Sequence, residues 1–496
     1  MKVVLLCVPI MDNLSGGELV PIAQDFTPSC PSLAIYLLAA ILRQHGYEVK
    51  VIDLTAEKTN KINRWLAAIQ EARLVGISAT SLNWPTVLNV VGQIRTAGIQ
   101  APIVIGGVHP TMFSDYILHR YPTIDFVIRH EGEKALIMLC RALEGQFEYK
   151  DVPNLSWRSK EGQVFHNPSA SLLTAEELAS LPVPAYDLLP ERIYPTLALQ
   201  SSRGCAFCCS FCSTPYRRSY RSLPPSAFVD MVEEVQLLAG DRVASKELIQ
   251  VVDDEWSLDR KRTIAILREI NRRDIPVRFI YDSRANDFLD EEYAEAVAPY
   301  TERFLVGAEC GYNEGLARIG KGTTVEKLEA CARTLVKYNI AHRSEFSFIL
   351  GLPWESKEDV LKTVRFASRL VLHYGVNVLL QWYCQIPGSL LWDESWRKGE
   401  VTPAMYDEFG FFRNLYLFKS GVHLSPEEIW EVMDIIYTTH SLIALTGRAK
   451  EAMLYRPPAP IELNYPREAI SSLEGSARLL IWAPEVREKA LKSTGQ

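Results

Sequence analysis

The chain has 496 residues, 53 Lys plus Arg against 60 Asp plus Glu, and a formal net charge of −7. Its 48% apolar and 23% charged content is ordinary globular usage, which excludes long-range disorder, and the acidic balance argues against a nucleic-acid-coating surface. At roughly 100–200 residues per domain the length implies about three domains. The apolar start MKVVLLCVPIMDNLSGG is broken by Pro9, Asp12 and Asn13, and no run approaches the roughly 18–20 apolar residues of a spanning helix. A cytoplasmic protein with no transmembrane segment and no nucleic-acid partner is expected.

Residues 1–150 alternate short apolar runs with helical periodicity, the pattern of a parallel sheet covered on both faces. Strands are predicted over 3–9, 49–54, 74–80, 103–107 and 125–129, with helices over 32–45, 61–72, 84–97 and 111–120. Five such units make an α/β, doubly wound, Rossmann-like domain. A hairpin over 155–158 and 163–166 follows, then Pro182, Pro184, Pro190 and Pro195 in close succession. Proline at that density is unsuited to a helix or sheet interior, so 151–195 reads as a hairpin and an extended linker crossing a surface. Strands predicted over 196–200, 248–252, 278–281, 304–308, 344–350 and 378–383 form a second βα series within 196–391. That is six units, a partial barrel, against the eight of a closed one. Residues 392–496 read as mainly helical.

Four of the ten cysteines crowd into 205–212, too close for a disulfide framework. In SSRGCAFCCSFCSTP, Cys205, Cys209 and Cys212 form C-x3-C-x2-C. Three thiolates on one loop can hold three corners of a [4Fe–4S] cube and leave one iron open. Structural zinc usually closes with four ligands in two separated pairs. Cys208 permits C-x2-C-C-x2-C, but those pairs abut with no knuckle between them. A thiol redox pair is the other alternative. Cys208 is either a bystander or a reactive thiol.

This motif, after the first strand of a six-unit series, resembles that of the radical S-adenosylmethionine (SAM) superfamily. The resemblance implies that the open iron chelates SAM, which one electron cleaves to methionine and a 5′-deoxyadenosyl radical. It implies SAM contacts from Phe211, from Asp254 and Glu255 in VVDDEW, and from Arg284 in FIYDSRAND. Further along it implies Glu309 in GAECG, Arg343, and Gly351 in FILGLPWES. Lys321, in IGKGTT, reads as a loop-to-helix residue.

The first domain resembles the cobalamin-binding domain that precedes the barrel in one radical SAM class. VGISATS carries Ser78 and Thr80, IGGVHPT carries Gly106, Gly107, Val108 and His109, and RHEGE carries Glu131 and Gly132. The D-x-H-x-x-G loop of several corrinoid proteins is missing. The resemblance therefore implies that no histidine ligates cobalt and that Leu82, Asn83 or Trp84 covers its lower face. His109 reads as a hydrogen-bonding loop residue. The alternative is a Rossmann domain that binds nothing.

Together the two resemblances imply a cobalamin-dependent radical SAM enzyme related to the class B methyltransferases. Its cofactors would be a [4Fe–4S] cluster, SAM and cobalamin, with an external electron donor of flavodoxin or ferredoxin type. The implied reaction is methylation of an unactivated carbon of a small-molecule or lipid-like substrate. Cyclisation, ring rearrangement or oxidation is the alternative outcome, and a non-catalytic corrinoid or iron–sulfur carrier the third reading. The aromatics Tyr406, Phe409, Phe411, Phe412, Tyr416, Phe418, Trp430 and Tyr437 suit either an apolar cap over the barrel or helix packing faces.

Overall fold

The computed structural model describes residues 1–12, 19–21 and 30–436, apart from 192, 410, 412–420, 426, 430 and 434. The N-terminal sheet comprises β1 (Lys2–Cys7), β2 (Glu48–Asp53), β3 (Leu74–Ser78), β4 (Ile103–Gly106), β5 (Phe126–Ile128), β6 (Leu155–Arg158) and β7 (Val164–His166). Its order is β2-β1-β3-β4-β5-β6-β7, the first five strands parallel and the hairpin β6–β7 antiparallel at one edge. Strand periodicity divides β1 between two cores. Val3 and Leu5 pack with α1 (Leu33–Gln44) and a helix over Glu133–Leu143, whereas Val4 and Leu6 pack with helices over Trp84–Thr96 and Val108–Arg120. Where one helix was expected over 61–72, a 3-10 turn (Asn63–Trp65) runs into a short α-helix, Leu66–Gln70.

The second sheet comprises β8 (Leu197–Leu199), β9 (Leu248–Val251), β10 (Arg278–Ser283), β11 (Thr301–Glu309), β12 (Ser344–Leu350) and β13 (Asn377–Trp382), all parallel and in sequential order. Along β10 and β12, buried residues alternate with partly or fully exposed ones. Phe279 and Tyr281 face outward onto Phe228 and Trp256, so Arg278 and Asp282 face the lumen. The lumen of this open, six-stranded barrel is lined by accessible side chains, unlike the filled interior of an eight-stranded one.

The proline-rich stretch departs from the expected surface linker. Its prolines keep it out of both sheets, but the aromatics between them fill the seam joining the two halves. Tyr186 and Tyr194 are buried, Tyr186 donating to Ala198 O (2.6 Å) and Tyr194 to Asp53 Oδ2 (2.9 Å). Tyr36 on α1 donates to the same Asp53 oxygen (2.9 Å). Burial pushes the Asp53 carboxyl up while these donors pull it down.

After β13 the chain returns to the N-terminal half. A helix, Leu390–Arg397, and a 3-10 turn, Pro403–Asp407, join the core around Trp84 and Phe113. Trp392 Nε1 donates to Tyr406 Oη (2.7 Å), which donates to Gln385 O (2.8 Å). Asp407 accepts from Trp84 Nε1 (2.7 Å) and Tyr116 Oη (2.6 Å). Tyr406 and Phe411 thus serve this interdomain core and do not cap the barrel, because their rings pack against each other at a tilt and Tyr406 stacks on Phe113. Phe409 is half-buried. Phe412, Tyr416, Phe418, Trp430 and Tyr437 lie outside the described residues.

Candidate functional site

The cysteine loop leaves β8 through an antiparallel pair, Ser202–Arg203 with Arg221–Ser222, which closes residues 204–220 into a ring. Gly204 (φ +83°) is required at its neck, since a Cβ there would come within 2.5 Å of Ser219 O. Asp253 anchors the base, accepting 2.6 Å bonds from the Ser201 amide and from the Ser201 and Ser202 hydroxyls. Asp254 ties the two flanks together, its oxygens accepting from Gly204 N (2.8 Å) and Thr214 Oγ1 (2.9 Å). The carboxylate expected to meet an ammonium instead fastens the loop.

Cys205, Cys209 and Cys212 share this loop with Phe211, and no cysteine of the chain is in a disulfide. Arg284, at the end of β10, reaches within 3.8 Å of Cys209 Sγ and lies 3.7 Å over the Phe207 ring. Its guanidinium also donates to the carbonyl of Lys321. That lysine is a site residue the sequence reading passed over. Its ammonium is buried, 2.7 Å from Glu309 Oε1 and 5.9 Å from the Phe211 ring centre. The available signal was its place between two glycines, Gly320 (φ +69°) and Gly322 (φ +71°), which make the tight loop that carries it inward. Glu309 adopts φ +65° at a bulge in β11, a strained backbone for a non-glycine residue. Glu255 is buried beside Ser257 and Asp287; burial, then Asp287, pushes its carboxyl well up, offset by Ser257, Arg284 and Lys321.

The donor set fits a cluster better than one metal ion. Among the described residues no three His, Cys, Asp or Glu side chains stand close enough to share an ion. A zinc at about 2.3 Å from each thiolate would draw the sulfurs within about 4 Å of one another, whereas each corner of a cube has its own iron.

Gly351 (φ +74°) lies at the end of β12 against Trp382 and Val422. Below it Glu355 accepts from Leu352 N (2.9 Å) and Tyr312 Oη (2.9 Å), and burial raises its carboxyl to about 7. Since the folded value exceeds the ordinary 4.5, the cost of ionising Glu355 is absent below about pH 4.5, accumulates as pH rises from there to 7 and is fully present above it. Glu355→Gln should remove a loss of stability on the order of 3 kcal/mol that the parent suffers between about pH 4.5 and 7. Denaturant titrations of both proteins at several pH values measure the difference. Arg343 is the clear departure from the expected set. It precedes β12, at the N-terminal end of the barrel, where its guanidinium donates to Thr301 O. Each strand carries the chain from one end of the barrel to the other, so a residue before the strand cannot join those after it.

In the N-terminal sheet, Ser78 ends β3 and Gly106 ends β4. Thr80 N donates to Asn83 Oδ1 (2.7 Å) and Asn83 Nδ2 to Val8 O (2.9 Å), which commits the Asn83 amide and leaves Leu82 46% exposed beside it in sequence. Trp84 is buried instead, stacked on His109 at 4.6 Å. His109 does hydrogen-bond, to Ser81 Oγ through Nδ1 (3.0 Å), but from the first turn of a helix rather than a loop; its Nε2 is buried without a partner, and burial lowers it to about 3, so the ring is neutral. Glu131 also departs from expectation. Its carboxylate is taken by Arg203 (3.1 Å), Arg221 (2.8 Å) and Leu173 N (2.7 Å), tying this domain to the cysteine ring. Gly132 caps the following helix.

Leu82 and Val108, exposed apolar residues at the carboxyl ends of β3 and β4, with the His109 imidazole buried, fit one face of a macrocycle bound without that histidine as a ligand. Gly107 (φ +105°) allows the close approach between the two loops, since a Cβ would strike the Ala79 carbonyl. Gly107→Ala should cost roughly 1–3 kcal/mol in backbone strain alone and weaken hydroxocobalamin retention, read by thermal unfolding and by cobalt content.

The two sites face each other. A Cβ at Gly388, after β13, would lie 3.4 Å from Met112 Sδ of the N-terminal domain and 4.0 Å from Ser213 O of the cysteine loop. Arg217, from the same loop, donates to Gly388 O (2.5 Å).

Residues 20–139 match the model of the B12 binding domain, and residues 199–367 that of the Radical SAM superfamily. An uncharacterized methyltransferase of Pyrococcus horikoshii is 30% identical over 73% of this chain and 78% of its own. The anaerobic magnesium-protoporphyrin IX monomethyl ester cyclase of Rubrivivax gelatinosus is 27% identical over 71% of this chain and 63% of its own. The solved structure of the cobalamin-dependent S-adenosylmethionine radical enzyme OxsB, with aqua-cobalamin and S-adenosylmethionine bound, superposes with a TM-score of 0.59 at 21% identity, over 74% of this chain and 52% of that one. The chain therefore spans about half of that enzyme, and the likeness is one of fold.

Proposed function

Because the chain belongs to the radical SAM superfamily, in the branch that carries a B12-binding domain ahead of the barrel, we propose that it methylates an unactivated carbon of a small molecule. The observation that carries this reading is the contact at Gly388, where the carboxyl-end loops of both sheets meet. A substrate atom between them would be within reach of both cofactors.

Bound together, an iron–sulfur cluster with SAM and a cobalamin supply radical hydrogen abstraction and methyl transfer. The chain's own contribution is binding and exclusion. Cys205, Cys209 and Cys212 would each hold one iron, with Asp253 and Asp254 fixing the ring that presents them. Arg284 and Lys321 bring two cations beside the thiolates, suited to a carboxylate, while Glu309 keeps the lysine in place. Leu82, Val108 and Met112 would cover an apolar ring face. The core of Trp84, Trp392 and Tyr406 closes one side of the interface against water. Electrons would come from a flavodoxin- or ferredoxin-type donor.

The test is anaerobic reconstitution with iron, sulfide and hydroxocobalamin, then incubation with methyl-deuterated SAM, a reductant and metabolite extract. About four irons and one cobalt per chain, with a mass-shifted methyl group in a product, are expected. A new product without the label would replace methylation by cyclisation or rearrangement, the activity named for the Rubrivivax relative. Retention of neither metal would sink the reading altogether.

A further inference from the structure

At the end of the barrel opposite the cysteines lies a cavity of about 420 Å³. That is within the range of small-molecule sites. Its charged lining is Arg278, Arg303 and Arg343 against Glu302 and Glu345, with His342 beside them. Counting the histidine as neutral, three cations face two carboxylates. Their polar capacity is unequally used. Arg278 is paired with Glu302 (2.5 Å), and Arg343 is held by Thr301 O and by His342 Nε2 (3.4 Å). Among the described residues neither Arg303 nor Glu345 has an ion-pair partner, although both open on the same space. Asp282, two residues into β10 from Ile280, faces the lumen above them. Burial and then Glu345 raise its carboxyl to about 6, and Arg303 lowers it, so the three groups share one field.

We propose that this cavity binds a small molecule bearing a phosphate or carboxylate, held by Arg303 and Arg343, together with a hydroxyl or ammonium that donates to Glu345. The guanidinium fork matches an oxyanion, and an adjoining carboxylate without a cation of its own selects against an anion that has no donor. A concave site on which three guanidinium groups converge holds such an oxyanion where a single exposed arginine would not. The site is independent of the cofactor chemistry, since its lining residues precede or begin strands β10–β13, and the far ends of β10 and β11 carry Arg284 and Glu309.

Isothermal titration calorimetry of the full chain in about 0.15 M salt, with phosphoethanolamine, glycerol 3-phosphate, inorganic phosphate and citrate, tests this. Phosphoethanolamine or glycerol 3-phosphate is expected to bind at least roughly tenfold more tightly than inorganic phosphate. Binding by citrate alone would assign the anion as a carboxylate. Arg303→Gln should weaken the favoured ligand by at least about tenfold, and Glu345→Gln should erase its advantage over inorganic phosphate without abolishing binding. Both variants should melt like the parent, as neither residue is in the core. Cys209→Ala should bind as the parent does. Absence of binding by all four probes up to about 10 mM, or an affinity indifferent to Arg303→Gln, overturns the proposal.

Discussion

Cys209→Ala should abolish iron retention and every activity that depends on it. Two thiolates cannot hold a cube that three corners barely fix. The sulfur is also the one beside the Arg284 guanidinium, so its removal takes away that cation's soft partner as well. Iron and sulfide assays on anaerobically reconstituted protein should fall from about four of each per chain to near background, and SAM cleavage should fall with them. Cobalt should remain, because the residues assigned to cobalamin stand on another sheet. Cys208→Ala is the informative partner: full iron content in it would make that thiol a bystander. Retention of four irons in Cys209→Ala would instead require that Cys208 replace it, and would bring back the adjacent-pair arrangement.

Glu131→Ala should cost roughly 3–5 kcal/mol, the usual penalty for stripping a buried cation of its partner. The carboxylate is 7% exposed and lies between Arg203 (12%) and Arg221 (13%), which flank the cysteine ring. Without it Arg221 keeps the carbonyls of Leu173 and Ser219 but no carboxylate, and Arg203 keeps Glu133 at 2.7 Å and the Gln200 amide oxygen at 2.8 Å. The loss should appear in urea denaturation and as faster proteolysis near the connector between the two sheets. A change below about 1 kcal/mol would mean that water has replaced the carboxylate, and that the two domains are coupled elsewhere.

The strands were legible because their apolar runs are short and bounded. Ser344–Leu350 has the bounds read from its sequence, and the cysteine spacing singled out one loop, which the structure closes with the pair Ser202–Arg203 and Arg221–Ser222. Lys321 was missed because nothing local distinguishes a glycine-flanked lysine that turns inward from one that turns to water; its buried partner, Glu309, is twelve residues earlier. Arg343 was misplaced for the converse reason. It is adjacent in sequence to a strand that carries site residues, but at the wrong end. The proline-rich connector looked like a surface strap because proline excludes regular structure, yet it says nothing of what the intervening tyrosines bury. Glu131 and Asp254 show a further limit. A carboxylate next to a functional motif can be there to hold the motif's frame, and only the partners around it distinguish the two roles.

Gly388 sets a gauge. The gap between the two domains at that point is the width of a residue without a side chain, with Met112 on one side and the cysteine loop on the other. Its left-handed backbone (φ +88°) disfavours replacement, and the facing methionine is a flexible wall. The separation between a group held by one domain and a group held by the other is therefore fixed in steps of single carbon atoms. A graded series at this position, from alanine to valine, would widen the interval like shims in a bearing, leaving the residues on either side unchanged.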